Sequence, residues 1–86
     1  MTLKRPYYIL WKSGWMHSHC GEKTYETQGA AKRAASQQLR THYLDYVAIA
    51  VQEDDGTFTP LLVKKCIHKD GRPYYGQWRE AEKALP

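Results

Sequence analysis

The hydrophobic positions of this chain fall into two kinds of pattern, strand-like runs and one helical repeat. Tyr7-Tyr8-Ile9-Leu10-Trp11 is aromatic and β-branched, and reads as a first strand entered after Pro6. Ser13-Gly14 signals a turn. Trp15 to Cys20 and Lys23 to Tyr25 form a second, less regular strand around Gly21. Thr27 is placed to cap a helix running from Gln28 to about His42, in which Ala31, Ala35 and Leu39 repeat at four-residue steps and Ala34 widens the stripe. Small alanines on the buried side let such a helix lie close to a sheet. Tyr46 to Val51 is the clearest strand. Asp55-Gly56 is a hairpin signal, and Phe58 to Val63 then returns antiparallel, running on through Cys66 and Ile67. Pro60 cannot donate to a ladder, so it marks an edge or a bulge. Asp70-Gly71 is a second hairpin signal, Tyr74 to Trp78 the next strand, and Arg79 to Leu85 a short helical turn or a frayed end. The order predicts an α+β fold: a single antiparallel sheet of about four to five strands with one helix packed on one face, the other face partly open.

Length changes this picture little. The 86 residues fit one domain spanning 1–86, with one modest core and little room for a deep catalytic cleft. Cys20 and Cys66 are too few for a disulfide scaffold. Met1 to Tyr8 lacks the apolar run of a signal peptide, and no stretch approaches the roughly 20 apolar residues that span a bilayer. The expectation is a cytoplasmic protein with reduced thiols.

Charge narrows the partners. Thirteen Lys and Arg against nine Asp and Glu give a formal net charge of +4, which favours an anionic partner: nucleic acid, a ribonucleoprotein or an acidic protein face. The basic side of the helix carries Lys32, Arg33, Ser36, Gln37 and Arg40, with no acidic residue from Gln28 to Leu44. Lys32, Arg33, Gln37 and Arg40 are the first candidates for contact with phosphates or carboxylates. A second set, Lys69, Arg72, Tyr74 and Tyr75, mixes cations with aromatic rings in the manner of base-stacking surfaces. Ile9 and Trp11 are assigned to the core, and some of Tyr74, Tyr75 and Trp78 to the surface.

Two chemistries are weighed and set aside. His17, His19, Cys66 and His68 are of zinc-ligand type, but they and Cys20 lack the spacing of paired ligands, and Cys20 points away from His17 and His19 on a strand. Buried thiols and surface histidines are the expectation, with no metal and no cofactor. No phosphate-binding glycine loop, HExxH helix or nucleophile elbow is present, and Glu53, Asp54 and Asp55 sit at a hairpin tip, so no enzymatic activity and no small-molecule substrate are expected.

The segment Ala31-Lys32-Arg33-Ala34-Ala35-Ser36, after the Tyr8-Ile9-Leu10 strand and before Asp55-Gly56-Thr57-Phe58 and Lys69-Asp70-Gly71-Arg72, resembles small phage-encoded anti-CRISPR proteins acting on type I (I-E or I-F) surveillance complexes. One such protein, directed at type I-F, has a similar Ala-Lys-Arg-x-Ala-Ser helix. Another, directed at type I-E, has a similar Ala-Ala-Lys-x-Ala-Ala-Gln-Gln helix. The resemblance implies a non-enzymatic Cascade inhibitor in the cytoplasm of an infected or lysogenic bacterium. It would interfere with target DNA binding, with Lys32 and Arg33 as the contact pair. Leu39 departs from the pattern, and Trp15 to Glu26 has no counterpart. Two readings stand beside it: a basic domain acting directly on DNA or RNA, and an assembly module pairing through an open sheet edge.

Overall fold

In the computed structural model, residues 6–13 and 19–81 are described. They form an open antiparallel sheet with one helix laid across one face. β1 (Tyr7–Lys12), β2 (His19–Tyr25), α1 (Gln28–Thr41), β3 (Tyr46–Gln52), β4 (Phe58–Lys69), β5 (Arg72–Tyr75) and β6 (Arg79–Glu80) follow in chain order. The strands lie in the order β2-β1-β3-β4-β5, with β6 pairing β4 beside β5. The α+β class, the antiparallel sheet and the single helix agree with the sequence pattern.

The helix forms where its stripe and its cap predict. Thr27 Oγ1 accepts from the Ala30 amide at 3.1 Å, satisfying one of the amides that the first turn leaves unpaired. At the other end the backbone turns extended at His42, whose amide donates to the Gln38 carbonyl at 3.0 Å. Ala31 and Ala35 are wholly buried and Leu39 nearly so. They pack on Ile9, Val47 and Ile49, with Leu44 and Cys66 completing the cluster and Tyr7, Trp11, Tyr25 and Trp78 around its margin. Burying the leucine, isoleucine and valine side chains of this cluster stabilises by about 1.5–3 kcal/mol each. Trp11 owes its position partly to Gly21: a Cβ there would lie 3.3 Å from the indole ring, so the glycine lets the ring cross β2.

The face turned away from the helix is less open than the sequence suggests. Val47, Ala48, Ile49 and Ala50 are all fully buried, so β3 is covered on both sides. Ala48, Val63 and Ala81 make a second, smaller cluster, flanked by Leu10 and Tyr46. A continuous apolar run is what a doubly covered strand requires.

Several element boundaries differ from expectation. The predicted second strand is observed from His19, and its Trp15–Ser18 part lies outside the described residues. β4 runs on to Lys69, past Ile67. Pro60 sits at a register break, where Ile49 pairs Leu62 but Ala50 pairs Pro60, leaving Leu61 as the extra residue of a bulge. β5 occupies Arg72–Tyr75 rather than Tyr74–Trp78, because Asp70-Gly71 makes a two-residue turn and pairing resumes at once with Lys69↔Arg72. Asp70 at φ 54 and Gly71 at φ 75 supply the left-handed backbone that such a turn needs. Within the Arg79–Leu85 stretch expected as a helical turn or a frayed end, Arg79–Glu80 instead pairs with β4 through Leu62↔Glu80 and Val63↔Arg79, Ala81 is helical, and residues 82–85 lie outside the described residues. No helix among the described residues is long and apolar enough to cross a membrane.

Candidate binding surfaces

The helix presents a narrower basic ridge than its sequence suggests. At about 100° per residue, Arg33, Gln37 and Arg40 fall opposite the Ala31–Ala35–Leu39 stripe, and all three are exposed. Lys32 and Ser36 lie on a flank and are half-buried. On that flank Lys64, reaching up from β4, donates through Nζ to Ser36 Oγ at 3.3 Å. The predicted set is therefore split: Arg33, Gln37 and Arg40 form one outward row, and Lys32 stands beside it. Arg40, in the last turn, also meets the negative end of the helix dipole.

The second surface lies at the far end of the sheet. β3 pairs β4 only as far as Tyr46↔Lys65. Beyond that point β4 has β5 as its partner, through Cys66↔Tyr75, Ile67↔Tyr74, His68↔Pro73 and Lys69↔Arg72. The result is a two-stranded ribbon that continues the sheet past the end of β3. Every residue of β5 is exposed. Among the described residues, the large apolar side chains most open to solvent gather here: Tyr43 at 68%, Ile67 at 66%, Tyr74 at 53% and Tyr75 at 40%.

Paired residues of antiparallel strands share a face and successive ones alternate, so the ribbon has two distinct sides. Cys66, His68, Pro73 and Tyr75 lie on the helix side. There His68 Nε2–H donates to the Leu44 carbonyl at 3.0 Å, a contact that fixes the protonated ring nitrogen because a carbonyl can only accept. The same imidazole stacks on Tyr43, with centroids 3.9 Å apart and planes 18° from parallel. Leu39, Arg40, His42, His68, Pro73 and Tyr75 are among the residues lining a shallow cavity of about 230 Å³ between the helix end and the ribbon. The opposite side carries Lys65, Ile67, Lys69, Arg72 and Tyr74, with Tyr46 and Lys12 continuing it onto the body through the register Lys12↔Tyr46↔Lys65. Ile67, Lys69, Asp70 and Tyr74 line one shallow depression there.

Among the described residues, no three His, Cys, Asp or Glu side chains come together as a metal site would require. Cys66 is buried on the helix side and its thiol is pushed up by burial. Cys20 is half-buried, and burial raises its thiol too. His68 is occupied with Leu44 and Tyr43, and His17 lies outside the described residues. Glu53, Asp54 and Asp55 stand exposed at the β3–β4 turn, where Asp55 accepts from the Thr57 hydroxyl at 2.6 Å and from its amide at 3.0 Å. Those hydrogen bonds hold the Asp55 carboxyl below the usual carboxylate range.

Sequence reasoning found Lys69, Arg72, Tyr74 and Tyr75 but put them together. The structure sends Tyr75 to the helix side and the other three to the opposite face. It missed Lys65 and Ile67, although Lys65, Ile67 and Lys69 recur at two-residue steps, the signal that they share a face. Compared with known protein families, with curated proteins and with solved structures, the chain has no match.

Proposed function

We propose that this chain is a non-enzymatic binding protein that docks through the exposed ridge of α1 on an anionic macromolecular surface. A type I CRISPR surveillance complex is the target, and interference with its DNA binding the outcome. The observation that supports this reading is the ridge itself. Arg33 and Arg40 flank Gln37 on the solvent side of a rigidly packed helix whose sequence holds no carboxylate from Gln28 to Leu44. Two guanidinium groups on a preformed helix lose little freedom on binding and suit bidentate contact with phosphate or carboxylate. The choice of a surveillance complex rests on the Ala31–Ser36 resemblance. Lys32, half-buried beside the ridge, takes a supporting place there.

The test is co-purification of the tagged protein from bacteria carrying type I systems, after nuclease treatment. The expected result is recovery of Cascade subunits at near-equal amounts. An Arg33→Glu/Arg40→Glu variant is expected to lose that recovery while keeping the wild-type thermal midpoint, since both side chains are exposed. Full recovery with the double variant would overturn the role of the ridge, and no Cascade recovery with the wild type would overturn the target.

A further inference from the structure

We infer that the ribbon face formed by Lys65, Ile67, Lys69, Arg72 and Tyr74 is a binding platform for single-stranded nucleic acid. The surface is separate from the helix ridge, on the other side of the sheet, and the inference does not rest on the choice of a surveillance complex.

The composition of the face is the first ground. From Val63 to Tyr75 the chain has one carboxylate, Asp70, exposed at the turn, against the cations Lys64, Lys65, Lys69 and Arg72. Of these, register places Lys65, Lys69 and Arg72 on the face in question, and Lys64 on the helix side with Ser36. With three cations against the one carboxylate at its tip, the face is net basic, and its complement is an anion extended over several residues. Lys65 and Lys69 stand four residues apart on one strand, about 13 Å at the rise of an antiparallel strand. Arg72 lies directly across from Lys69.

The apolar members are the second ground. Ile67 and Tyr74 are cross-strand partners in the middle of these cations, and both are more than half exposed. A ring held on a strand, open to solvent and bordered by ammonium and guanidinium groups, provides what a splayed base and its phosphates need: a π-face for stacking and cations for the backbone. Ile67 backs the ring from the neighbouring strand. The bases of a duplex are stacked on each other and cannot reach such a ring, so the shape selects a single strand. Lys12 and Tyr46 extend the platform towards β1, giving the strand a track along the molecule rather than a point contact.

The experiment is fluorescence anisotropy of the full chain with a labelled single-stranded 20-mer of DNA, the same length of RNA and a matching duplex, across a salt series. Tighter binding of the single strands than of the duplex is expected, falling steeply with salt. Tyr74→Ala is expected to weaken it about ten-fold by loss of stacking. Lys65→Gln/Lys69→Gln/Arg72→Gln is expected to make the log–log salt slope about 2 shallower, at roughly 0.7 per phosphate contact on a single strand. Lys23→Gln, exposed on β2 at the opposite edge of the sheet, serves as the control and is expected to leave the slope unchanged, while Arg33→Glu/Arg40→Glu tests whether the helix ridge carries the binding instead. These side chains are exposed, so wild-type circular dichroism spectra would show that the variants fold. Three outcomes would overturn the inference: no salt-dependent binding of any single strand, preference for the duplex, or binding that survives the ribbon variants and fails in the helix variant. Self-association abolished by Tyr74→Ala, without oligonucleotide binding, would overturn it in favour of a second copy of the chain.

Discussion

The body of this molecule and its ribbon are made from the same strand, β4, and differ in almost everything else. Up to Lys65, β4 is paired to β3 and packs on both faces: Leu62, partly buried, lies against the helix-side cluster, and Val63, buried, joins Ala48 on the other side. From Cys66 onwards it is paired to a strand of four exposed residues, with Cys66 as its one buried side chain. A two-stranded hairpin is marginal by itself in water. What the contrast teaches is a division of labour along one strand. The first half is held by burial and the second by backbone pairing, one tight turn and the His68 anchor. The half freed from packing carries the exposed rings and cations.

The largest expected effect lies in the body. Leu39→Ala would leave a cavity under the last turn of α1, where Leu39 is almost fully buried, and is expected to cost about 2–5 kcal/mol. Tyr74→Ala in the ribbon is expected to stay within about 0.5 kcal/mol of the parent, as exposed substitutions do. Urea unfolding of the two variants side by side measures both. Similar costs for the two would erase the contrast between body and ribbon.

The sequence is legible where burial imposes a period and illegible where it does not. Helix α1 could be read from Ala31, Ala35, Leu39 and Thr27 because packing and capping leave marks at fixed spacing. β3 reads as a strand, and its unbroken apolar run Val47-Ala48-Ile49-Ala50 carries the further signal that both faces are covered. The end of β4 was legible only in part. From Lys64 to Lys69 burial is confined to Cys66, so the polar residues between give no apolar rhythm to follow. β6 rests on a two-residue pairing of Arg79 and Glu80 with partners far away in the chain, and nothing local predicts that. The helix ridge came out too wide because Lys32 was grouped by charge. Its angular position next to Ala31 puts it on the flank. The turn motif reveals Lys69, Arg72 and Tyr74 of the ribbon face; Lys65 and Ile67 are marked by the two-residue step to Lys69, and strand register adds which β5 residues lie opposite.

An intermediate effect is expected at the junction. His68 is the side chain that ties the ribbon to the body, by donating to the Leu44 carbonyl and stacking on Tyr43. Replacing it with alanine removes one hydrogen bond, on the order of 1 kcal/mol, and the stacked pair with it. If body and ribbon are held independently, this cost falls locally. Amide exchange of Ile67 to Tyr75 is expected to speed up in His68→Ala, while exchange of β1, β3 and α1 stays as in the parent. Hydrogen exchange followed by mass spectrometry or NMR resolves the two regions. A uniform acceleration over the whole chain would mean that the ribbon supports the body, contrary to the division drawn above.

The smallest expected effect comes from comparing the turns at the two ends of β4. The ribbon turn, Asp70-Gly71, is set by backbone conformation, with both residues at positive φ. The body turn also has one residue at positive φ, Gly56 at φ 89, and adds hydrogen bonds: Glu53 N–H donates to the Thr57 carbonyl at 2.7 Å, Gly56 N–H to the Glu53 carbonyl at 3.0 Å, and the Thr57 amide and hydroxyl to Asp55. These last two bonds favour the ionised carboxylate and hold the Asp55 carboxyl below its ordinary value, so it binds its proton less readily folded than unfolded. The linkage therefore has one sign. The contribution is fully present above the ordinary carboxylate range and is lost as pH falls through the lowered folded value. Asp55→Asn keeps an oxygen acceptor but removes the charge. It is expected to lower the urea midpoint slightly at pH 7, and the gap from the parent is expected to close in strong acid. Asp70→Asn is expected to show no such convergence, because the left-handed backbone that Asp70 provides is available to asparagine at any pH. A pH-independent gap for Asp55→Asn would show that its side chain acts by shape alone. The two turns would then differ in sequence but not in the kind of force that closes them.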